Sequence, residues 1–114
     1  GVVLSRLTLH EKSDVIYTYI TENDIKSHGG DETESEGIAN FLNNLSEGQA
    51  SLFLKEQVGG KFKGSLRTTR DGVDVSVIAE QLGGGGHKKA AGFSIDGPVE
   101  DALNQIWQTV ESLA

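Results

Sequence analysis

The stretch that most constrains this chain is Gly83-Gly84-Gly85-Gly86-His87, followed directly by Lys88-Lys89-Ala90-Ala91-Gly92. Four consecutive glycines leave a backbone without Cβ atoms, so its N–H groups can converge on an anion. The histidine and the two lysines add side-chain donors and positive charge at the same place. This combination predicts a site for an oxyanion such as phosphate.

The charge distribution supports a local site. The whole chain carries a formal net charge of −7. Residues 61–89 hold six basic and three acidic side chains, a net charge of +3, whereas the remainder carries −10. Positive potential is therefore concentrated around the glycine run. An acidic protein of this kind is a poor candidate for broad, sequence-independent binding of a nucleic-acid duplex.

Size and composition predict one compact domain. The chain has 114 residues, enough for a single core, and no cysteine, which excludes disulfides and thiolate metal sites. It contains no apolar run near the roughly 20 residues that span a bilayer and no secretory leader, so we expect a cytoplasmic protein that does not contact membranes. Because it begins at Gly1 and lacks methionine, we expect a domain of a longer protein. The oligomeric state stays open.

The first half of the sequence predicts two strands and one helix. Leu4–Leu9 and Val15–Ile20 alternate apolar and polar residues, which is typical of a hairpin. Residues 21–37 are polar and predict a loop with about one helical turn. Thr33-x-x-Glu36 has the form of a capping box and precedes a helix. Its apolar face has helical spacing and consists of Ile38, Phe41, Leu42 and Leu45.

The second half predicts the other elements of an α+β fold. Ser51–Glu56 and Phe62–Thr68 are strands joined by a turn at Gly59-Gly60, and Asp74 caps a helix that ends at Gly83. Phe93–Asp96 is a short strand. Pro98 occupies the first position of a last helix. The buried stripe of that helix is Val99, Ala102, Leu103, Ile106, Val110 and Leu113, with Trp107 at its edge. We predict a single domain with a small mixed sheet and helices packed on it.

The glycine run has two interpretations. Gly83–Gly86 could be a flexible turn after a helix. Alternatively, His87–Ala91 forms a short helical turn that Gly92 stops. Basic residues at a helix N-terminus are unfavourable unless an anion binds there, and such local conflicts are typical of functional sites. The second interpretation therefore favours a phosphate site.

The strand Phe62–Thr68 supplies further candidates. Arg67 is either an edge-strand charge or a planar donor that clamps phosphate or stacks on a base. Ser65 lies two residues away and so faces the same side of the strand. Lys88 and Lys89 are either solvated surface residues or part of the site.

Catalytic and metal-ligating residues are not assigned. The acids between residues 31 and 36 could hold a metal, but solvated acids at a helix start account for them better. His10 and His28 are isolated. No Ser/His/Asp set has recognisable spacing, and no second histidine lies near His87.

The block at residues 83–92 closely resembles the DHHA1 domain, the C-terminal substrate-binding domain of the DHH family of phosphoesterases. The segments Gly64–Arg67, Val73–Ala79 and Glu36–Ile38 resemble other parts of that domain. The pattern is most similar to oligoribonuclease/pAp-phosphatase-like enzymes, also labelled RecJ-like or exopolyphosphatase-related. Residues 1–114 would then form a DHHA1-like domain without its DHH partner.

The resemblance implies a binding role. It assigns the substrate phosphate to Gly84, Gly85, Gly86 and His87, and phosphate or base to Arg67, with Ser65 and Lys88 beside them. The catalytic DHH domain, which holds manganese in this family, should precede this chain, since no Asp-His-His occurs in it. The expected ligand is a short oligonucleotide or a nucleotide phosphate. A non-catalytic module like the C-terminal domain of alanyl-tRNA synthetase is the alternative.

Overall fold

A computed structural model describes residues 1–28 and 32–114; the side chains of residues 28 and 32–36 lie outside that description. The described chain has the predicted α+β architecture, one six-stranded mixed sheet with five helices. The helices are α1 Val2–Ser5, α2 Glu22–His28, α3 Glu32–Asn43, α4 Val75–Gln81 and α5 Val99–Ser112. The strands are β1 Thr8–His10, β2 Val15–Ile20, β3 Ala50–Glu56, β4 Lys61–Arg67, β5 Gly85–His87 and β6 Ala90–Asp96.

The sheet has the strand order β1-β2-β3-β4-β6-β5. Neighbouring strands are antiparallel, except that β2 and β3 are parallel. Parallel neighbours need a long crossover connection, which here contains α2 and α3. The predicted strands at β3 and β4 are confirmed, and both glycines of the turn between them have positive φ, +98° at Gly59 and +88° at Gly60.

The N-terminal region differs from the prediction in two helices. Leu4 lies in α1, so only Thr8 and Leu9 of the predicted strand Leu4–Leu9 lie in β1. The predicted loop at residues 21–37 contains α2, which begins with a capping box that the sequence analysis missed. The Thr21 amide donates to Asp24 Oδ2 at 2.8 Å, and the Asp24 amide donates to Thr21 Oγ1 at 3.2 Å.

The capping box proposed at Thr33 and Glu36 is misplaced as a helix start, because α3 already begins at Glu32. The side chains of both residues lie outside the described part of the chain. So do those of the acids weighed as metal ligands, and that of His28.

A partly buried ion pair joins α1 to α2. Arg6 Nη2 donates to Asp24 Oδ1 at 3.0 Å, Nη1 donates to Oδ2, and Nη1 also donates to the Tyr19 carbonyl at 3.2 Å. The hydrogen bonds from Arg6 hold the pKa of the Asp24 carboxyl far below its usual value, although burial opposes this shift, and the bonds from Thr21 lower it further. Asp24 is therefore ionised and paired in the folded chain.

The sheet separates two hydrophobic clusters. Leu52 and Leu54 of β3 pack with residues of α4 and α5, including Ile106. Phe53, between them, packs with Val3 of α1 and Leu42 of α3. Because successive side chains of a strand point to opposite faces, α4 and α5 cover one face, and α1 and α3 cover part of the other.

The C-terminal helices follow the predicted pattern with small shifts. Asp74 caps α4 by accepting a hydrogen bond from the Ser76 amide at 3.0 Å. Pro98 is the N-cap of α5 and not its first helical residue. Trp107 is buried, at 7% exposure, whereas Leu113 is 41% exposed. The indole stacks on the imidazole of His10, with ring centroids 4.2 Å apart, and so belongs to the core.

Candidate functional site

The proposed site residues of β4 lie on the less covered face of the sheet. Leu66 of β4 packs in the cluster beneath α4 and α5, so Ser65 and Arg67 point to the opposite face. On that face the strands β4, β6 and β5 are open: His87 and Ala90 are exposed, and Ser65 and Arg67 are half-buried.

The strand register brings the predicted residues together. Ser65 lies opposite Gly92, which lies opposite Gly85. Arg67 lies opposite Ala90, which lies opposite His87. Directly opposite residues share a face of the sheet. Two parallel rows therefore cross the three strands, each with a small residue on the central strand β6.

A cleft of about 250 Å³ lies over these rows. Four of the seven predicted residues line it: Ser65, Arg67, Gly85 and Gly86. The small residues Ala90, Ala91 and Gly92 also line the cleft; the sequence analysis did not assign them to the site. Because Ala90 and Gly92, which face the cleft, add little bulk above the strand, they leave room for a ligand between β4 and β5.

The glycines of the run have different roles. A Cβ at Gly84 would lie 2.1 Å from the Gly92 carbonyl oxygen, and one at Gly86 would lie 2.6 Å from the Ala91 Cα. These two glycines allow β5 to pack closely on β6. A Cβ at Gly85 would meet nothing within 4 Å. Packing thus explains Gly84 and Gly86, and only Gly85 leaves free space on the cleft side.

The prediction of a helical turn at His87–Ala91 is wrong. The segment is a β-hairpin in which His87 pairs with Ala90 and the two lysines form the turn. Pairing of β6 with both β4 and β5 prevails over the helix propensity of the two alanines. A helix N-terminus therefore does not contribute to the site, and the open face of the hairpin takes its place.

Backbone hydrogen bonds hold this hairpin at both ends. The Gly84 amide donates to the Ala79 carbonyl at 2.8 Å. At the turn, the Lys88 carbonyl accepts from the Val75 amide at 2.9 Å, and the Lys89 carbonyl accepts from the Thr68 amide at 3.1 Å. The glycine-rich segment is therefore anchored to α4 and to the end of β4, which makes it a fixed platform.

The two lysines of the turn differ in their surroundings. Lys89 Nζ donates to Asp71 Oδ1 at 2.7 Å and to the Thr69 carbonyl at 3.2 Å. The hydrogen bond from Lys89 lowers the pKa of the exposed Asp71 carboxyl. Lys88 is exposed at the tip and does not line the cleft. Neither does His87, although it lies in the same cross-strand row as Arg67.

Arg67 has a partner that the sequence analysis missed. Its Nη1 donates to Oδ1 of Asn40, on α3, at 3.1 Å. Arg67 also lines a second, smaller pocket of about 40 Å³, together with Thr69 and Arg70. In the sequence, the helical pattern of α3 predicts that Asn40 lies off the apolar face. That pattern does not indicate that Asn40 contacts β4.

Residues 1–27 and 37–114, whose side chains the structure describes, contain no group of three or more histidine, cysteine, aspartate or glutamate side chains placed to hold a metal ion. Among the helices in residues 1–28 and 32–114, none is both long and apolar enough to cross a bilayer.

The family follows from a match along most of the chain. Residues 12–114 match the model of the DHHA1 domain, and this match includes every residue of the cleft. The chain therefore belongs to the DHHA1 domain family, as the resemblance predicted.

Two curated relatives are oligoribonucleases. The chain is 30% identical over 111 residues to the bifunctional oligoribonuclease and PAP phosphatase NrnA of Thermus thermophilus, covering 96% of this chain and 32% of NrnA. It is 32% identical over 93 residues to the oligoribonuclease NrnB of Bacillus subtilis, covering 81% of this chain and 22% of NrnB. The chain thus spans no more than 32% of either relative.

Solved structures share the fold. An exopolyphosphatase-related protein from Bacteroides fragilis superimposes with a TM-score of 0.86 at 26% identity, over 98% of this chain and 33% of that one. The C-Ala domain of Aquifex aeolicus alanyl-tRNA synthetase gives a TM-score of 0.60 at 15% identity, over 85% of this chain and 90% of that domain. At that identity, the second likeness concerns the fold alone.

Proposed function

We propose that the chain binds the phosphate at the end of a short oligonucleotide or of a pAp-like nucleotide, as the substrate-binding domain of a metal-dependent phosphoesterase. The observation that carries this proposal is the pair of cross-strand rows, Ser65–Gly92–Gly85 and Arg67–Ala90–His87, on an open sheet face. Donor side chains flank a floor of small residues, which is the form of a shallow oxyanion site.

Each side chain has a role that its chemistry supports. The planar guanidinium of Arg67 can donate two parallel hydrogen bonds to a phosphate. His87 can donate from its imidazole, and Ser65 from its hydroxyl. The absence of a side chain at Gly85 lets the ligand approach the backbone of β5. Lys88, at the hairpin tip, contributes positive charge at longer range.

The names of the relatives support the class of ligand. NrnA and NrnB are both named as oligoribonucleases, so each acts on short RNA. Such RNA carries a phosphate at every linkage between nucleotides. We propose the same class for this chain and the cytoplasm as its compartment.

Hydrolysis requires residues that this sequence does not supply. In the proposed arrangement a DHH domain would hold manganese, which would supply the activation of water, while this chain binds and orients the substrate. We expect no release of phosphate or mononucleotide when the purified chain is incubated with Mn²⁺ and substrate. Release at the rate of a complete enzyme would contradict this division of roles.

A second candidate is a non-catalytic module that binds a nucleotide or RNA. The likeness to the C-Ala domain favours it, because this fold accounts for 90% of that separately crystallised domain. The two candidates differ in what accompanies the chain: an Asp-His-His domain in the same protein supports the phosphoesterase, and its absence supports the module.

An NMR titration tests the shared part of both candidates. The probe is a diribonucleotide with a 5′-phosphate, and the control is the same diribonucleotide without it. Amide shifts should cluster at residues 83–92 and around Arg67 and should require the phosphate. Shifts confined to α5, or none at millimolar concentration, would contradict binding on this face.

A further inference from the structure

Asn40 lies at the boundary between the covered and open parts of the sheet face. It is exposed on α3, the helix that contributes Leu42 to the cluster around Phe53. From this position its Oδ1 accepts a hydrogen bond at 3.1 Å from Arg67 Nη1, and Arg67 lines the cleft. Asn40 itself does not line the cleft.

We propose that Asn40 is a positioning residue that fixes the Arg67 guanidinium for phosphate binding. This inference rests on the proposed function. A guanidinium has five N–H donors, and the bond to Asn40 uses one of them, so the others remain available to a ligand. Asn40 thereby restricts the rotation of the Arg67 side chain, and its hydrogen bond does not use the Nε and Nη2 donors of the guanidinium.

The chemistry of the partner matters as much as its position. An amide oxygen orients Arg67 while leaving its positive charge uncompensated. Two other basic side chains of this chain show the alternative, since Lys89 is paired with the Asp71 carboxylate and Arg6 with the Asp24 carboxylate. Among residues 1–27 and 37–114, whose side chains the structure describes, none of the ion pairs involves Arg67.

The size of the effect follows from side-chain entropy. Immobilising a flexible side chain on binding typically weakens affinity by about two- to tenfold. If Asn40 orders Arg67 before the ligand arrives, Asn40→Ala should weaken phosphate binding by about this factor. The whole effect should act through Arg67.

The first measurement concerns the free chain and needs no ligand. The Arg67 Nε–Hε resonance should show a larger ¹⁵N order parameter in the wild type than in Asn40→Ala. Asn40→Asp keeps an acceptor and should keep Arg67 ordered. Asn44→Ala, which changes an exposed asparagine just beyond α3, is the matched control. Equal mobility of Arg67 in the wild type and Asn40→Ala would overturn the inference.

The second measurement is a double-mutant cycle with the 5′-phosphorylated diribonucleotide. Asn40→Ala should lower affinity in the wild type and have no further effect in Arg67→Ala. Asn40→Asp should lower affinity although Arg67 stays ordered, because its carboxylate compensates the charge. An equal loss in both backgrounds, or unchanged affinity in Asn40→Ala, would overturn the inference while Arg67→Ala still supports the proposed function. If the wild type does not bind, both are overturned.

Discussion

Two halves of one sheet face differ in whether helices cover them. On the first half, α1 and α3 cover β2 and β3, and the Arg6–Asp24 pair ties α1 to α2. On the second half, β4, β6 and β5 carry no such cover, and Arg67 and His87 point from an open surface. The same face of the sheet therefore carries a core at one edge and the proposed ligand surface at the other.

The difference lies in how each half is held in place. The covered half is held by side chains, through apolar contacts and the partly buried Arg6–Asp24 ion pair. Among the described residues, the open half has no second layer on this face, so its glycine hairpin depends on close backbone packing and on backbone hydrogen bonds from α4 and β4. Substitutions should therefore affect stability in the first half and binding at the exposed positions of the second.

The largest effect is expected from Arg6→Ala on the covered half. It leaves the buried Asp24 carboxylate without its main partner, which should reduce the free energy of unfolding by about 3–4 kcal/mol. Urea unfolding at neutral pH measures this loss. Affinity for the 5′-phosphorylated diribonucleotide should stay within about twofold under conditions where the variant is folded, since Arg6 belongs to the other half.

The pH dependence of stability tests whether the effect of Arg6→Ala arises from the Arg6–Asp24 ion pair. The pKa of Asp24 is lower in the folded chain than the value of about 3.9 typical of unfolded chains. Its stabilising contribution is therefore complete above that value and is lost as the pH falls toward the folded pKa. The stability difference between the wild type and Arg6→Ala should narrow below about pH 4; a constant difference from pH 6 to pH 2 would contradict the assignment.

The next effect is expected from Gly84→Ala in the hairpin. The added Cβ would lie 2.1 Å from a backbone oxygen of Gly92, so the strands must separate. We expect a loss of about 2–3 kcal/mol in thermal or urea unfolding, as in other overpacked sites. A loss below about 0.5 kcal/mol, the usual range for surface substitutions, would mean that β5 is not packed as described.

Substitutions on the open face should act on binding alone. Arg67→Ala and His87→Ala each remove charge-assisted hydrogen bonding and should weaken binding of the phosphorylated diribonucleotide by about 1.5–3 kcal/mol. Lys89→Ala is the control, because Lys89 is already paired with Asp71. Calorimetric titration gives the affinities. Wild-type affinity in both variants, with unchanged melting temperatures, would remove these residues from the site.

The smallest effect is expected from Gly85→Ala. No atom lies within 4 Å of the added Cβ, so stability should change by less than about 0.5 kcal/mol. The methyl group would instead lie on the cleft side and weaken binding by roughly 1 kcal/mol, the lower end of the range for one methylene group in a pocket. A destabilisation equal to that of Gly84→Ala would show that Gly85 is packed against β6 as Gly84 is, and does not face the open cleft.

Local signals explain what the sequence predicted well. The strands β3 and β4, the turn between them and the Asp74 cap each follow from residues adjacent in sequence. The alternation of β4 also predicted correctly that Ser65 and Arg67 share a face. By contrast, α1 is a single turn and therefore too short to show a helical pattern. The capping box at Thr21 and Asp24 competes with a similar pattern at Thr33 and Glu36, and the structure has it at Thr21.

The remaining features depend on contacts between distant segments. Ala90 and Ala91 favour a helix locally, but pairing with β4 places them in a strand. The role of Gly84 depends on Gly92 lying beneath it, and that of Asn40 on α3 passing beside Arg67. No spacing rule within one segment predicts these contacts, because they arise from the tertiary fold.

The most direct test of the central claim compares one ligand with and without its phosphate. Isothermal titration of the chain with a diribonucleotide, 5′-phosphorylated or not, should give at least about a tenfold preference for the phosphorylated form, and Arg67→Ala should abolish most of that preference. Equal affinity of the wild type for the two ligands, or an undiminished preference in Arg67→Ala, would contradict a phosphate site on the open half of the sheet.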